Sequence, residues 1–252
     1  MVKKGLRKLK MGKAPGHDQI PARLLKKGTG ILCKSLTPIL NHCLTNSTFP
    51  QEYKCAEVRP IYKKNDAMDI NNYRPVSVLT STSKVLEGIM CEQIMEFFNH
   101  ILSPMLSAYR KKYSCMNVLL KCTEEWKKAL DNNDVVGCIL MDLSKAFDLI
   151  PHDLLVSKLF AYGCTLNACQ LIKSYLSNRQ QRVKIDSNYS EWMTIKSGVP
   201  QGSLMGPVLF YVFINDLLVE LSEHCTVYNY ADDNSLSFNL ANPLIVKETL
   251  ER

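Results

Sequence analysis

Two adjacent aspartates, Asp232 and Asp233, lie between two strand-like segments in the stretch "VYNYADDNSLSF", residues 227–238. Asp and Asn favour tight turns because their short side chains bond the local backbone, so the stretch predicts a β-hairpin with the aspartates at its tip. Neighbouring carboxylates repel each other unless a cation compensates their charge. Taken alone, the stretch therefore has two interpretations: a polar turn, or a site for a divalent cation.

The positive charge of the chain is concentrated at its beginning. The formal net charge is +7, and residues 1–27 contain nine Lys or Arg and one acid, Asp18, so that this segment carries nine minus one, or +8. A basic segment can attract a phosphate backbone, or it can be a solvated helix face, and composition does not separate the two.

The cysteines and the apolar runs bear on the compartment of the protein. The chain has ten cysteines, with no CxxC pair and no zinc-finger spacing to its five histidines. This pattern favours buried thiols in a reducing compartment. No signal peptide follows Met1, and the longest apolar run, "VLFYVFI", is too short to span a bilayer. We therefore expect a soluble, intracellular protein with no membrane partner, in the nucleus or the cytoplasm.

Helical and strand patterns alternate irregularly along the chain. Helices are predicted at residues 81–100, 117–133, 151–163 and 203–221, the last with Pro207 near its first turn, and a buried strand is predicted at 135–143. A strand pair is predicted at 180–198. Strands and helices mixed without a regular βαβ alternation predict an α+β fold.

A third acid, Asp142, stands at the end of the predicted strand 135–143. If the hairpin lies beside this strand, the strand spacing of about 5 Å brings Asp142 next to Asp232. Three carboxylates in one place require a cation, and Mg²⁺ ions held there could clamp the oxygens of a phosphoryl transfer. The alternatives are that Asp142 caps a helix and that the aspartate pair is only a turn.

Two further segments could serve a phosphate ligand. "SGVPQGSLMGP", residues 197–207, is a Gly- and Pro-rich loop that lets backbone approach a ligand closely and carries the hydrogen-bonding side chain of Gln201. "RPIYKKN" and "NYRPVSVL" supply cations that can bind a triphosphate. These cations are Arg59, Lys63, Lys64 and Arg74. A strand-to-helix turn and a solvated surface are the structural alternatives.

Together these stretches resemble the reverse transcriptase domain of non-LTR (LINE-type) retrotransposons, in an ordered series that covers nearly the whole chain. The series is "KAPGHDQIPARLLK", "RPIYKKNDAMDINNYRPVSVLTSTSKVLE", "SAYRKKYSC", "MDLSKAFDLIPHDLLVSKL", "SYLSNRQQRV", "SGVPQGSLMGPVLFYVFINDL" and "YADD". "YADD" alone is weak, whereas the ordered series is highly specific. "SAYRKKYSC" departs mildly from the family's more usual "GFR".

The resemblance implies a right-handed polymerase fold with fingers and palm. It implies catalytic and metal-binding roles for the carboxylates of Asp142, Asp232 and Asp233, with the backbone carbonyl of Leu143 assisting the metal. It also implies nucleotide-binding roles for Lys63 and Arg74 in the fingers, Phe147 under the incoming sugar, and Gln201 and Gly202 in a loop. Asp148 is expected to be structural, bonding the backbone ahead of the helix at Pro151.

The resemblance also predicts the domain organisation. Residues 1–43 are interpreted as a basic N-terminal helical extension leading into the fingers, and residues 44–252 as the reverse transcriptase domain. Nineteen residues follow Asp233, where the family has a further strand pair and a helical thumb, so we expect a C-terminally truncated domain with its thumb missing.

The implied function is RNA-directed DNA polymerisation with two Mg²⁺ ions, or Mn²⁺ in their place. The implied partners are an RNA template, a DNA primer and a deoxynucleoside triphosphate, and the oligomeric state is left open. One alternative is a catalytically inactive nucleic-acid-binding remnant of a retroelement. Another is a group II intron maturase relative, whose splicing domain is expected after a thumb.

Overall fold

The computed structural model of the protein describes residues 1–110, 112–143 and 145–240. Contacts divide the chain into two compact units, the first comprising Met1–Asn99 with Phe147–Phe210 and the second comprising His100–Ala146 with Tyr211–Arg252. Both units contain helices and strands, so the predicted α+β class is confirmed. Residues 1–43 cluster with the rest of the first unit, and a domain boundary at residue 43 stays a prediction.

The first unit combines helices with one sheet, and its elements are numbered here in chain order. Its helices are α1 (Val2–Lys8), α2 (Ala22–Lys27), α3 (Thr29–Thr45), α4 (Ser81–Phe98), α6 (His152–Ala161) and α7 (Leu166–Leu176). Its strands are β1 (Cys55–Tyr62), β2 (Tyr73–Val78), β4 (Gln180–Ile185), β5 (Asn188–Tyr189) and β6 (Met193–Thr194). The sheet order is β2-β1-β4-β5, and β6 also pairs with β4. Strand β1 is antiparallel to β2 and parallel to β4.

Helix α4 is buried over much of its length within the first unit. Its cap is Thr80, whose hydroxyl accepts a hydrogen bond from the Ser83 amide at 3.2 Å. Thr80 has extended backbone angles, as an N-cap residue must, whereas Ser81 is already helical. Leu86 and Met90 on one side of the helix are fully buried, which fits the predicted helical spacing of apolar residues.

The second unit is a three-stranded antiparallel sheet with a helix packed on it. Its strands are β3 (Val135–Asp142), β7 (Thr226–Tyr230) and β8 (Asp233–Leu240), in the order β3-β8-β7. Helix α5 (Cys115–Asp131) contacts β3 and β7. Trp126 of α5 donates to the hydroxyl of Ser237 at 2.9 Å, and Tyr228 donates to the carboxylate of Glu125 at 2.6 Å. Polar contacts therefore fix the register of the helix on the sheet.

The prediction that the strand at 135–143 is buried is wrong. The strand forms, but β3 lies at an edge of its sheet, where Leu140 is 80% exposed and Cys138 and Ile139 are exposed as well. A continuous apolar run predicts a strand without saying whether neighbours cover both of its faces.

Helix α8 (Met205–Ser222) confirms the predicted apolar helix. Pro207 is its third residue, within the first turn where proline is tolerated. Leu209, Val212 and Leu218 are fully buried. By length and composition α8 could cross a membrane, but core helices of soluble proteins pass the same test, and 56% of its window is buried within the protein. Its burial is that of a core helix.

The cysteines are less uniformly buried than the sequence suggested. All ten are free thiols, of which Cys43, Cys122 and Cys169 are buried while Cys115 and Cys138 are exposed.

Candidate active site

The two aspartates lie at the tip of a β-hairpin, as predicted. Strands β7 and β8 are joined by Ala231 and Asp232, and the cross-strand pair of Tyr230 with Asp233 closes the turn. Ala231 has a φ of +59°, a left-handed conformation that two-residue hairpin turns require at their first loop position and that non-glycine residues adopt at a cost. The hairpin therefore displays Asp232 on a constrained loop.

The hairpin lies beside β3, which brings the predicted carboxylates together. The register pairs Asp142 directly with Asp233, whereas the sequence placed Asp142 next to Asp232. Directly opposed residues of antiparallel strands project from the same face, and like charges in that position destabilise a sheet. Both residues are exposed to solvent, which lowers this cost without removing it. A cation bound between Asp142 and Asp233 would relieve the repulsion of this carboxylate pair.

The remaining predicted metal ligands flank the carboxylate pair along the chain. Asp232 is half-buried in the turn. Leu143 follows β3, and its carbonyl accepts a hydrogen bond from the amide of Ala146 at 3.2 Å, which leaves one lone pair for another partner. Across residues 1–110, 112–143 and 145–240, no group of three His, Cys, Asp or Glu is arranged to hold a metal ion. The geometry thus supplies an opposed pair of hard oxygen ligands, and metal binding stays a prediction.

Lys63 and Arg74 lie on one face of the β1–β2 hairpin in the first unit. Ile61 is opposite Arg74, and the amide of Lys63 bonds the carbonyl of Asn72 at 2.9 Å, so Lys63 and Arg74 are diagonal neighbours across the strands. Both side chains are exposed, and Arg59 projects from the same face. This cationic face can bind an anionic ligand such as a phosphate chain.

The Gly-rich loop is tied into the first unit by its backbone. The carbonyl of Gln201 accepts from the amide of Ser77 at 2.7 Å, and the amide of Val199 donates to the carbonyl of Phe147 at 2.7 Å. Gly202 has a φ of +116°, and a Cβ there would lie 2.7 Å from the carbonyl oxygen of Ser77. The backbone of this loop therefore lies close to the backbone of β2. The predicted contact of the loop with a ligand stays a prediction.

The side chain of Gln201 is held by Asp148. Its amide nitrogen donates to the Asp148 carboxylate at 2.8 Å. The expected role of Asp148 was to bond the backbone ahead of Pro151, so its partner was predicted wrongly. A carboxylate can only accept hydrogen bonds, so the amide nitrogen of Gln201 faces Asp148. The amide oxygen of Gln201 then remains available to accept a hydrogen bond from another group.

Phe147 stacks on Phe210, with ring centroids 4.8 Å apart and planes inclined by 29°. Phe147 is half-buried, whereas Phe210 is buried. One face of the Phe147 ring therefore rests on the core of the first unit, and the ring retains solvent-accessible surface. This position is compatible both with a sugar contact and with a purely structural role.

One residue beside the Gly-rich loop escaped the sequence interpretation. Glu87 of α4 is fully buried and accepts hydrogen bonds from the Ser83 hydroxyl at 2.9 Å and from the Leu204 amide at 2.7 Å, at the start of α8. Burial raises its pKa, against the opposing effects of the Arg179 charge and of these hydrogen bonds. The signal in the sequence was an acid on the apolar side of α4, where a charge needs a partner.

A comparison with models of protein families shows the family of the chain. The model of the family described as reverse transcriptase (RNA-dependent DNA polymerase) matches residues 61–250. Because this match covers more than half of the chain, the chain belongs to the reverse transcriptase family. The resemblance drawn from the ordered motifs is confirmed.

The curated relatives include polymerases of mobile elements. One is the probable RNA-directed DNA polymerase from transposon BS of Drosophila melanogaster, 29% identical over 94% of this chain and 27% of the relative. Another is the RNA-directed DNA polymerase from mobile element jockey of Drosophila funebris, 30% identical over 92% of this chain and 26% of the relative. These relatives support the non-LTR type, and the chain spans about a quarter of their length.

Among solved structures, the fold is similar to that of telomerase. Apo telomerase from Candida tropicalis truncated from its C-terminal domain matches with a TM-score of 0.54 at 11% sequence identity, over 88% of this chain and 51% of the telomerase chain. At this identity the likeness concerns the fold alone. It agrees with a mixed helix-and-sheet polymerase fold.

Gly198→Ala should lower the free energy of unfolding by about 1–2 kcal/mol or more. Gly198 has a φ of +80°, and a Cβ there would lie 2.4 Å from the carbonyl oxygen of Asp148. Gly12→Ala is the matched control, since no atom lies within 4 Å of its added Cβ. Urea unfolding of both variants checks this, and equal stabilities would show that the loop is not tightly packed.

Glu87→Gln should stabilise the protein increasingly as the pH rises above the ordinary carboxyl range. Because the pKa of Glu87 is raised by burial, the folded state binds the extra proton, and stability falls as the pH rises through the raised value. Gln mimics the neutral acid and removes this fall. Urea midpoints measured at a series of pH values test the prediction, and a pH-independent difference from the wild type would contradict it.

Glu57→Gln is a control for which we expect the opposite dependence of stability on pH. Burial pushes the pKa of Glu57 up, but its bonds to Arg182 at 2.6 Å and Lys184 at 3.2 Å outweigh burial and leave the pKa lowered. The stabilisation is therefore present above the ordinary carboxyl pKa and lost as the pH falls. This variant should lose most stability near neutral pH and least in acid.

Proposed function

We propose that the chain is the polymerase segment of a non-LTR retrotransposon reverse transcriptase. It extends a DNA primer on an RNA template from deoxynucleoside triphosphates. The observation that carries the proposal is the direct pairing of Asp142 with Asp233 beside a hairpin tip, in a chain of the reverse transcriptase family. Because the chain spans about a quarter of its curated relatives, the activity of the whole protein belongs to the same proposal.

The residues of the second unit would hold divalent cations. Carboxylate and carbonyl oxygens are hard ligands, and Mg²⁺ is commonly bound by one or two carboxylates together with substrate phosphates. The opposed pair Asp142 and Asp233, with Asp232 and the carbonyl of Leu143 next to them in the chain, fits this ligand chemistry. When bound, Mg²⁺, or Mn²⁺ in its place, supplies charge that stabilises the oxygens of the transferred phosphoryl group.

The reaction joins the primer 3′-hydroxyl oxygen to the α-phosphorus of the nucleotide. The bond from that phosphorus to the pyrophosphate oxygen breaks, the hydroxyl proton is lost, and pyrophosphate leaves. Among the described residues no ion pair involves the three aspartates, Asp142, Asp232 and Asp233, so their negative charge is available for a cation. Their role is to hold that compensating charge in place.

The residues of the first unit would bind the nucleotide. Lys63 and Arg74 present two exposed cations on one face for the triphosphate. Gln201, oriented by Asp148, offers its amide oxygen, and Gly202 keeps the loop backbone close to β2. Phe147 would press on the sugar. A soluble, intracellular location is part of this proposal.

Asp142→Asn should reduce nucleotide addition at least about 100-fold, since it removes a main electrostatic contribution to the reaction. The measurement is primer extension on poly(rA) with oligo(dT), using the chain fused to the segment that follows the matched region in the jockey polymerase. Asp153→Asn, at an exposed acid of α6, is the control and should retain activity. If Asp142→Asn keeps its activity, the proposed site is wrong.

Phe147→Val should raise ribonucleotide incorporation relative to deoxynucleotide incorporation. A smaller side chain leaves room for the 2′-hydroxyl if the ring presses on the sugar. Phe98→Leu, at a buried aromatic of α4, controls for loss of packing and should leave the ratio unchanged. An unchanged ratio in folded Phe147→Val would show that Phe147 serves only to stack on Phe210.

A further inference from the structure

Two asparagines face each other at the base of the hairpin that carries the aspartates. Asn229 of β7 and Asn234 of β8 are cross-strand partners, adjacent to the pair that closes the turn. They are 0% and 2% exposed. A buried amide is costly unless its hydrogen bonds are satisfied, so the choice of two asparagines at this point needs a reason.

The two amides bind the backbone of the turn. Asn229 Nδ2 donates to the carbonyl of Ala231 at 2.8 Å and to Asn234 Oδ1 at 2.8 Å. Asn234 Nδ2 donates to the carbonyl of Asp232 at 3.2 Å. Each carbonyl of the two-residue loop is thus held by a side-chain amide, and the amides hold each other. These bonds support a turn whose first residue has a left-handed φ.

The amide pair stabilises the turn from the side opposite to the carboxylates. Successive side chains of a strand point to opposite faces, so Asn234 projects away from the face of Asp233, which is also the face of Asp142. The asparagines therefore orient the loop without being ligands themselves. Supporting groups of this kind commonly tune a metal site.

The pair also carries a cost that packing alone does not explain. Asn229 Oδ1 is buried and has no hydrogen-bond partner in the part of the chain that the structure describes. A buried acceptor without a partner costs about 1–3 kcal/mol, whereas an apolar side chain of the same shape would avoid that cost. Such a cost indicates that the donors of the amide pair serve the turn.

We propose that the Asn229–Asn234 amide pair positions the Asp232–Asp233 turn for divalent cation binding. This inference rests on the proposed function. Adjacent carboxylates drive the free turn to splay, and fixing both loop carbonyls removes the freedom to do so. Loss of the amides then weakens cation binding by about 10–100-fold, the usual effect of removing groups that orient metal ligands.

The test is titration of the 252-residue chain with Mn²⁺ alone, with free Mn²⁺ measured by electron paramagnetic resonance and affinity expressed per folded molecule. The variants are Asn229→Leu, Asn234→Leu and their combination, together with the milder Asn234→Ser in case the leucine variants unfold. Asn215→Leu is the matched control, since Asn215 is a 3% exposed asparagine of the same unit that binds the backbone of Ser103 at 2.7 Å. Asp142→Asn is the reference for loss of a ligand.

The expected result is a drop of Mn²⁺ affinity of about 10-fold or more in each single variant. The double variant should lose little more than either single one, because the amides act as a unit. Asn215→Leu should lose stability but keep its affinity. Unchanged affinity in folded Asn229 and Asn234 variants, with loss in Asp142→Asn, would overturn this inference alone. Wild-type affinity in Asp142→Asn would overturn the proposed cation site.

Discussion

The carboxylates of Asp142 and Asp233 lie directly opposite each other, and the strands and helix of the second unit hold them there against their repulsion. An antiparallel ladder that places like charges opposite each other loses about 0.2–1 kcal/mol at that pair. Beyond this pair, β3 and β8 remain paired as far as Val135 and Leu240. Helix α5 is held on the sheet by the hydrogen bonds of Trp126 and Tyr228. The scaffold therefore holds in place a charge arrangement that it would not adopt by itself.

Other local costs of the same kind occur in each unit. In the first unit, Glu87 of α4 is a buried acid that accepts a hydrogen bond from the start of α8, and Gly198 and Gly202 hold left-handed conformations against neighbouring backbone. In the second unit, Asn229 keeps a buried acceptor without a partner among the described residues. Local costs that the surrounding fold tolerates are typical of functional sites. Each unit thus has its own rigid support for the residues that it presents.

The ordered motifs predicted the fold class, the hairpin and the neighbouring strand, because each depends on local pattern or on a family-specific series. The opposed residue proved to be Asp233 instead of Asp232, since register depends on the hydrogen-bond ladder and a shift of one residue leaves the pattern nearly unchanged. The exposure of Leu140 depends on which strands are neighbours. The roles of Glu87 and Asn229 escaped notice because both side chains bind backbone groups, and residue type does not show which backbone group a side chain binds.

Asp142 and Asp233 repel each other in the free protein and, we propose, share a cation when one is present. The most direct measurement is the free energy of unfolding of the wild type and of Asp142→Asn, in EDTA and in excess Mg²⁺. We expect Asp142→Asn to be more stable than the wild type by about 0.2–1 kcal/mol in EDTA, and Mg²⁺ to stabilise the wild type but not the variant. An Asp142→Asn variant that is less stable in EDTA, or an equal response of both proteins to Mg²⁺, would contradict it.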